Sequence, residues 1–60
     1  MTAPAYQLDP GDLLPGGRVR IPWAGVATGP CLVELNGEPR RARVDVALPA
    51  FAIATLEPRP

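Results

Sequence analysis

The sequence predicts an all-β fold, a small barrel of four to five strands preceded by a proline-rich N-terminal arm. Three observations carry this expectation. Arg18, Arg20 and Pro22 alternate with Val19, Ile21 and Trp23, the period of two that gives a strand one wet face and one buried face. "CLVELNGEPRRARVDVAL" repeats that alternation on both sides of Asn36-Gly37, the strongest short-range hairpin signal. Nine prolines and six glycines in 60 residues would permit disorder, but 47% hydrophobic residues in ordered alternation argue against it.

Residues 1–17, "MTAPAYQLDPGDLLPGG", read as the arm, because Pro4, Pro10 and Pro15 remove backbone donors and exclude a long helix or a central strand. Asp9-Pro10-Gly11-Asp12 is turn chemistry, with Asp9 placed to cap one helical turn through Leu13 and Leu14. Tyr6, Leu8, Leu13 and Leu14 are the arm's apolar anchors, and the barrel is expected to span 18–58. The first barrel strand follows, and Pro22 either ends it or places it at a sheet edge. "AGVATGP" allows a short strand over 25–28 that closes at Gly29-Pro30.

In the central hairpin Cys31, Val33 and Leu35 share the buried face, with Leu32 and Glu34 opposite. A four-residue turn, Asn36 to Pro39, would set Val33 against Ala42, Cys31 against Val44 and Glu34 against Arg41. A two-residue turn keeps the same face parity. On the return strand Ala42, Val44, Val46 and Leu48 are expected inward, and Arg41, Arg43, Asp45 and Ala47 outward. Pro49 interrupts, after which Phe51 and Ile53 resume the inward alternation before a final turn. A short helix from Pro49 to Glu57 is the competing reading, favoured by proline at its first position. The expected core cluster is Val19, Ile21, Val33, Leu35, Val44, Val46 and Ile53.

Composition narrows the function classes. Six arginines balance six acids, without lysine, whereas a free-standing nucleic-acid binder carries a basic excess. Glu34, Glu38 and Asp45 interleave with the arginines, which marks solvated strand faces. One cysteine and no histidine exclude an internal disulfide and a paired-ligand zinc site. A chain this short needs reinforcement, so association with a protein partner or a second copy is expected. No His, Ser or Lys is present and the threonines Thr2, Thr28 and Thr55 are isolated, so neither an enzyme nor a cofactor, metal or small-molecule site is expected.

Cys31, on the inward face, reads as core filler, and Asp9 with Asp12 reads as a cap rather than a cation site. Trp23 reads as a lid on the core or an interface anchor. Gly16-Gly17 lacks the lysine and helix of a phosphate loop. No stretch approaches the roughly 20 apolar residues of a membrane span. "MTAPAYQLDP" carries neither the charged start nor the apolar run of a secretory signal, so the cytoplasm, or an assembly built there, is the expected location.

"GGRVRIPW", "CLVELNG", "RARVDVALP" and "LEP" together resemble small bacterial SH3-like domains, over roughly residues 12–58. The resemblance implies a small barrel with a long central hairpin and a closing single turn. Two members of the wider small-barrel class have activities that do not transfer. The pore of plasmid-type dihydrofolate reductase uses a Gln-Ile-Tyr stretch, and Pro49-Ala50-Phe51 lacks its amide and phenol. Hydrogenase-maturation chaperones depend on a cysteine after the initiator methionine, where this chain has Thr2.

Two functions are therefore expected. The first is a non-enzymatic interaction module, an accessory or structural subunit docked on a larger assembly such as a bacterial multisubunit complex or phage virion. Tyr6, Leu8, Leu13, Leu14 and Trp23 would bind the partner. The alternative is a nucleic-acid-associated SH3-like domain using Arg18, Arg20, Arg40, Arg41 and Arg43. What separates them is whether those arginines share one face free of Glu34, Glu38 and Asp45.

Overall fold

Alternation along the chain produces six strands, joined into one sheet that curls into a half-barrel. The computed structural model describes residues 5–58; Thr2 and Pro4 lie outside them. The strands are β1 (Ala5–Leu8), β2 (Leu13–Leu14), β3 (Arg18–Ile21), β4 (Gly29–Leu35), β5 (Glu38–Ala47) and β6 (Ala52–Leu56), with one 3-10 turn at Pro10–Asp12. Their spatial order is β1-β4-β5-β6-β3-β2. β1 runs parallel to β4, and the remaining pairings are antiparallel.

Six strands replace the expected four or five because the proline-rich stretch is not an arm throughout. Ala5–Leu8 contains no proline and pairs with Leu32–Leu35, while Leu13–Leu14 pairs with Arg18–Val19. Pro10 and Pro15 flank these strands instead of interrupting them. The expected helical turn through Leu13 and Leu14 stops at Asp12, whose Oδ2 accepts a hydrogen bond from the Asp9 backbone N–H at 3.1 Å. Leu8 is buried in the core, so this segment contributes to the packing of the barrel.

The central hairpin turns at Asn36-Gly37 with φ of 53° and 76°. Both angles are positive, the requirement of a two-residue type I′ turn and the reason for Asn-Gly. Leu35 therefore faces Glu38, Val33 faces Arg40 and Cys31 faces Ala42, two positions away from the four-residue alternative. Face parity survives, as it must when the shift is even. Arg40 consequently lies on the inward parity at the sheet margin, where its Nη2 donates to the Glu57 carbonyl at 3.2 Å.

At Asp45 the ladder slips. Val44 faces Ala54, but Val46 faces Ile53, so Asp45 is the extra residue of a β-bulge. The bulge reverses every parity beyond it. Val46 and Leu48, expected inside, are 47% and 41% exposed. The expected inward residues Ile53, on β6, and Phe51, just before it, take the other face, while Ala52 and Ala54 are fully buried. Size explains the choice: Ala54 lies between Val19 and Val44, and Ala52 faces Ile21. Small residues between large ones let the layers of a narrow barrel interdigitate.

The core contains Leu8, Val19, Ile21, Val26, Cys31, Val33, Ala42, Val44, Ala52 and Ala54, with Tyr6, Leu35 and Leu56 packed against it. The short strand expected over 25–28 is absent; Ala24-Gly25 turns and Val26 plugs the core from a loop. β4 instead begins at Gly29-Pro30. Proline fits there because it sits at the strand's start, before the pairing with β1 begins at Leu32. Pro22 ends β3, which lies inside the sheet between β6 and β2. Residues 52–56 form a strand, not the competing helix.

The sheet's two margins, β1 and β2, are neighbours in sequence, joined through the 3-10 turn. The seam between them is bridged by aromatic packing. Trp23, just past β3, lies against Tyr6 of β1 with ring centroids 5.3 Å apart and planes tilted by 52°, a geometry that stabilises beyond area burial.

Candidate functional site

The five residues expected to meet a partner divide on folding. Leu8 points into the chain's own core, and Tyr6 is half-buried between that core and Trp23. Leu14 is half-buried, leaving Leu13 at 52% and Trp23 at 41% exposure. Trp23 thus closes the seam with one part of its ring system and meets solvent with the rest. What remains available to solvent among the five is chiefly Leu13 and part of Trp23.

The outer face of the sheet is the larger surface, and the registers define it. Arg18 on β3 faces Thr55 on β6, which faces Arg43 on β5. The next row sets Arg20 against Ile53 and Ile53 against Val46. Beyond it lie Leu48 and Phe51, closed into a tight turn by the Leu48 N–H donating to the Phe51 carbonyl at 2.8 Å. One end of the face is therefore basic and the other apolar. Arg41 lies on the same outer parity, opposite Leu32, whereas Arg40 lies on the inward one.

Two acids near this face have partners, while Glu34 lies on the same outer parity as Arg41, opposite Pro39. Asp45 accepts from the Thr55 hydroxyl. Asp12 Oδ1 lies 3.7 Å from Arg20 Nη1, and the Arg20 guanidinium sits 5.4 Å from the Phe51 ring centroid, within cation–π range. Among the described residues no carboxylate makes an ion pair with Arg18, Arg41 or Arg43. Four of the five arginines thus share a face, and Asp45 sits on that face between Arg43 and the apolar end.

The apolar end was not anticipated. Its sequence signal is the run "VALPAFAIATL", apolar at both parities, so a strand pair built from it must leave one apolar face outside. The bulge and the alanines decide which.

Cys31 is buried and unpaired, and burial raises its thiol above the usual range because desolvation disfavours the thiolate. A native-state alkylation time course at pH 8 should therefore show little modification, with rapid reaction once the chain is denatured. Rapid native alkylation would place Cys31 at the surface. The same shift has a defined sign in stability. The native thiol stays neutral where the unfolded thiol ionises, so its stabilisation is complete below the unfolded-state value. It is lost as pH rises from there through the raised native one.

Among the described residues no group of three or more His, Cys, Asp or Glu side chains could hold a metal ion. The depressions beside Asp9, Glu34 and Asn36, and beside Leu32, Arg41 and Glu57, are open, and neither joins a nucleophile to a base. No helix among the described residues is long and apolar enough to cross a membrane. No family model, curated protein or solved structure matches the chain.

Proposed function

We propose that this chain is a non-enzymatic interaction module, a small β half-barrel that acts as an accessory or structural subunit docked on a larger protein assembly. The observation that carries the reading is the exposure of four large apolar side chains, Leu13, Trp23, Val46 and Leu48. The three largest fully buried side chains are only Ile21, Val19 and Val33. A chain of 60 residues has little core to spare, and large apolar side chains left at its surface are where another molecule would complete the burial. The SH3-like resemblance agrees with such a role.

Site-specific photo-crosslinking tests it. A benzophenone side chain at Leu48 or Trp23, in the chain's native host, is expected to yield a discrete protein adduct. Adducts to nucleic acid, or none from either position, would refute the module reading.

The nucleic-acid alternative has one observation in its favour, the shared face of Arg18, Arg20, Arg41 and Arg43. Zero net charge, the Arg20–Asp12 pair and Asp45 on the same face weigh against it. Duplex DNA and single-stranded RNA are expected to bind no tighter than non-specific levels, roughly 10⁻⁴ to 10⁻⁶ M at physiological salt. A sub-micromolar, steeply salt-dependent titration would promote this alternative over the module.

A further inference from the structure

Resting on the interaction-module reading, we propose that the outer face of β3, β5 and β6 receives an acidic amphipathic helix of a protein partner. Val46 and Ile53 face one another across the β5–β6 ladder, and Leu48 and Phe51 extend the same surface to the hairpin tip. This apolar half is bordered by Arg20, placed over Phe51, and then by the row of Arg18, Thr55 and Arg43.

The charge of the occupant follows from which charges are already committed. Asp12 is paired with Arg20, whereas Asp45, hydrogen-bonded only by the neutral Thr55 hydroxyl, keeps its charge. Arg18 and Arg43 have no carboxylate partner among the described residues. Arg18 and Arg43 outnumber Asp45, so the charge left over beside the apolar half is cationic, and its complement is a segment with carboxylates flanking an apolar stripe.

Its form follows from the sheet. β5, β6 and β3 are all interior strands of the sheet, and the Asp45 bulge breaks the regular ladder where β5 runs past β4, so this surface offers no regular edge for strand addition. An occupant must therefore cover the face, and a sheet face is covered by a helix or by a second sheet. A second copy of this chain would bring uncommitted guanidiniums to the same face, which disfavours self-docking.

The probe is a synthetic helical peptide of about 15 residues, with leucines at helical spacing flanked by glutamates. Its counterpart carries lysine for glutamate. Both are titrated into the full chain with amide chemical shifts as the readout. The acidic peptide is expected to move the resonances of Val46, Leu48, Phe51, Ile53 and Thr55, and the lysine peptide to move none. Leu48→Ser, and separately Arg18→Glu with Arg43→Glu, should each weaken binding about tenfold or more while leaving the unliganded spectrum dispersed. Added salt should weaken the acidic complex.

No binding of the acidic peptide, or binding that moves only Tyr6 and Trp23, would overturn the proposal. So would a dimer dissolved by Leu48→Ser, tight binding to phosphatidylcholine–phosphatidylglycerol vesicles, or displacement of the peptide by duplex DNA. A Leu48 crosslink to a protein segment without acidic residues would overturn this inference while leaving the interaction-module reading intact.

Discussion

Val44→Asp is expected to unfold the protein. Val44 is buried, flanked in the ladder by Gly29 and Ala54, and no cationic side chain shares the core. An ionised carboxylate there would be desolvated and unpaired, a cost of about 3–5 kcal/mol. A single core of this size rarely supplies more than about 3–5 kcal/mol in total. Circular dichroism should lose its strand signature and amide resonances should collapse into a narrow band. Val46→Asp, two residues on, is expected to retain the fold, because the bulge has turned that side chain to solvent. Unfolding by the second variant and not the first would reverse the register assigned to β5.

The second large effect is Ala54→Leu. Ala54 is fully buried with Val19 on one side and Val44 on the other, so added methylenes have nowhere to go. Overpacking of this kind costs about 1–3 kcal/mol, enough to shift the denaturation midpoint by a large fraction of its value. Ile53→Thr, one position away on the outer face, keeps a β-branched side chain and should change stability by under ~1 kcal/mol. Urea midpoints for the two variants decide the matter. If Ile53→Thr were the more damaging, β6 would have the opposite face inward, as simple apolar alternation suggests.

That contrast locates where the sequence is legible and where it is not. The faces of β3 and of the β4–β5 hairpin up to Val44 could be read directly, though not the hairpin's pairing, because Val19 and Ile21 alternate with arginine and Ala42 and Val44 alternate with Arg41 and Arg43. In such strands polarity alone separates the faces. After Asp45 polarity stops discriminating: Val46, Leu48, Phe51 and Ile53 on one parity compete with Ala47, Ala52 and Ala54 on the other. Volume decides between two apolar faces, and volume depends on the strands opposite, which local alternation does not encode. The bulge itself has no local marker, since Asp45 reads as one more outward acid.

The candidate site divides along the same line. Trp23 and Leu13 were legible as apolar residues in a setting of prolines and glycines, but Leu8 looks identical to them until β1 docks on β4. The arginine alternation pointed to Arg18, Arg20, Arg40, Arg41 and Arg43 without deciding whether they share a face, and the registers leave Arg40 off it. It did not give the apolar half beside them, which exists only because a residue was inserted in β5.

The parallel pairing of β1 with β4 has a consequence for how the molecule opens. The β4–β5 and β5–β6 connections are tight hairpins, whereas β1 reaches β4 only after the chain has traversed the 3-10 turn, β2 and β3. Non-local pairings of this kind are entropically expensive to close, and a short segment at the chain's margin is among the first to be released. With β1 undocked, Leu8 leaves the core and the backbone of Leu32–Leu35 loses one of its two neighbours. The vacated position accepts the same four residues from another copy as well as it accepts its own. Exchange of β1 between chains would be the way for this topology to entangle two copies at high concentration, and loss of the Tyr6–Trp23 contact would be expected to ease it.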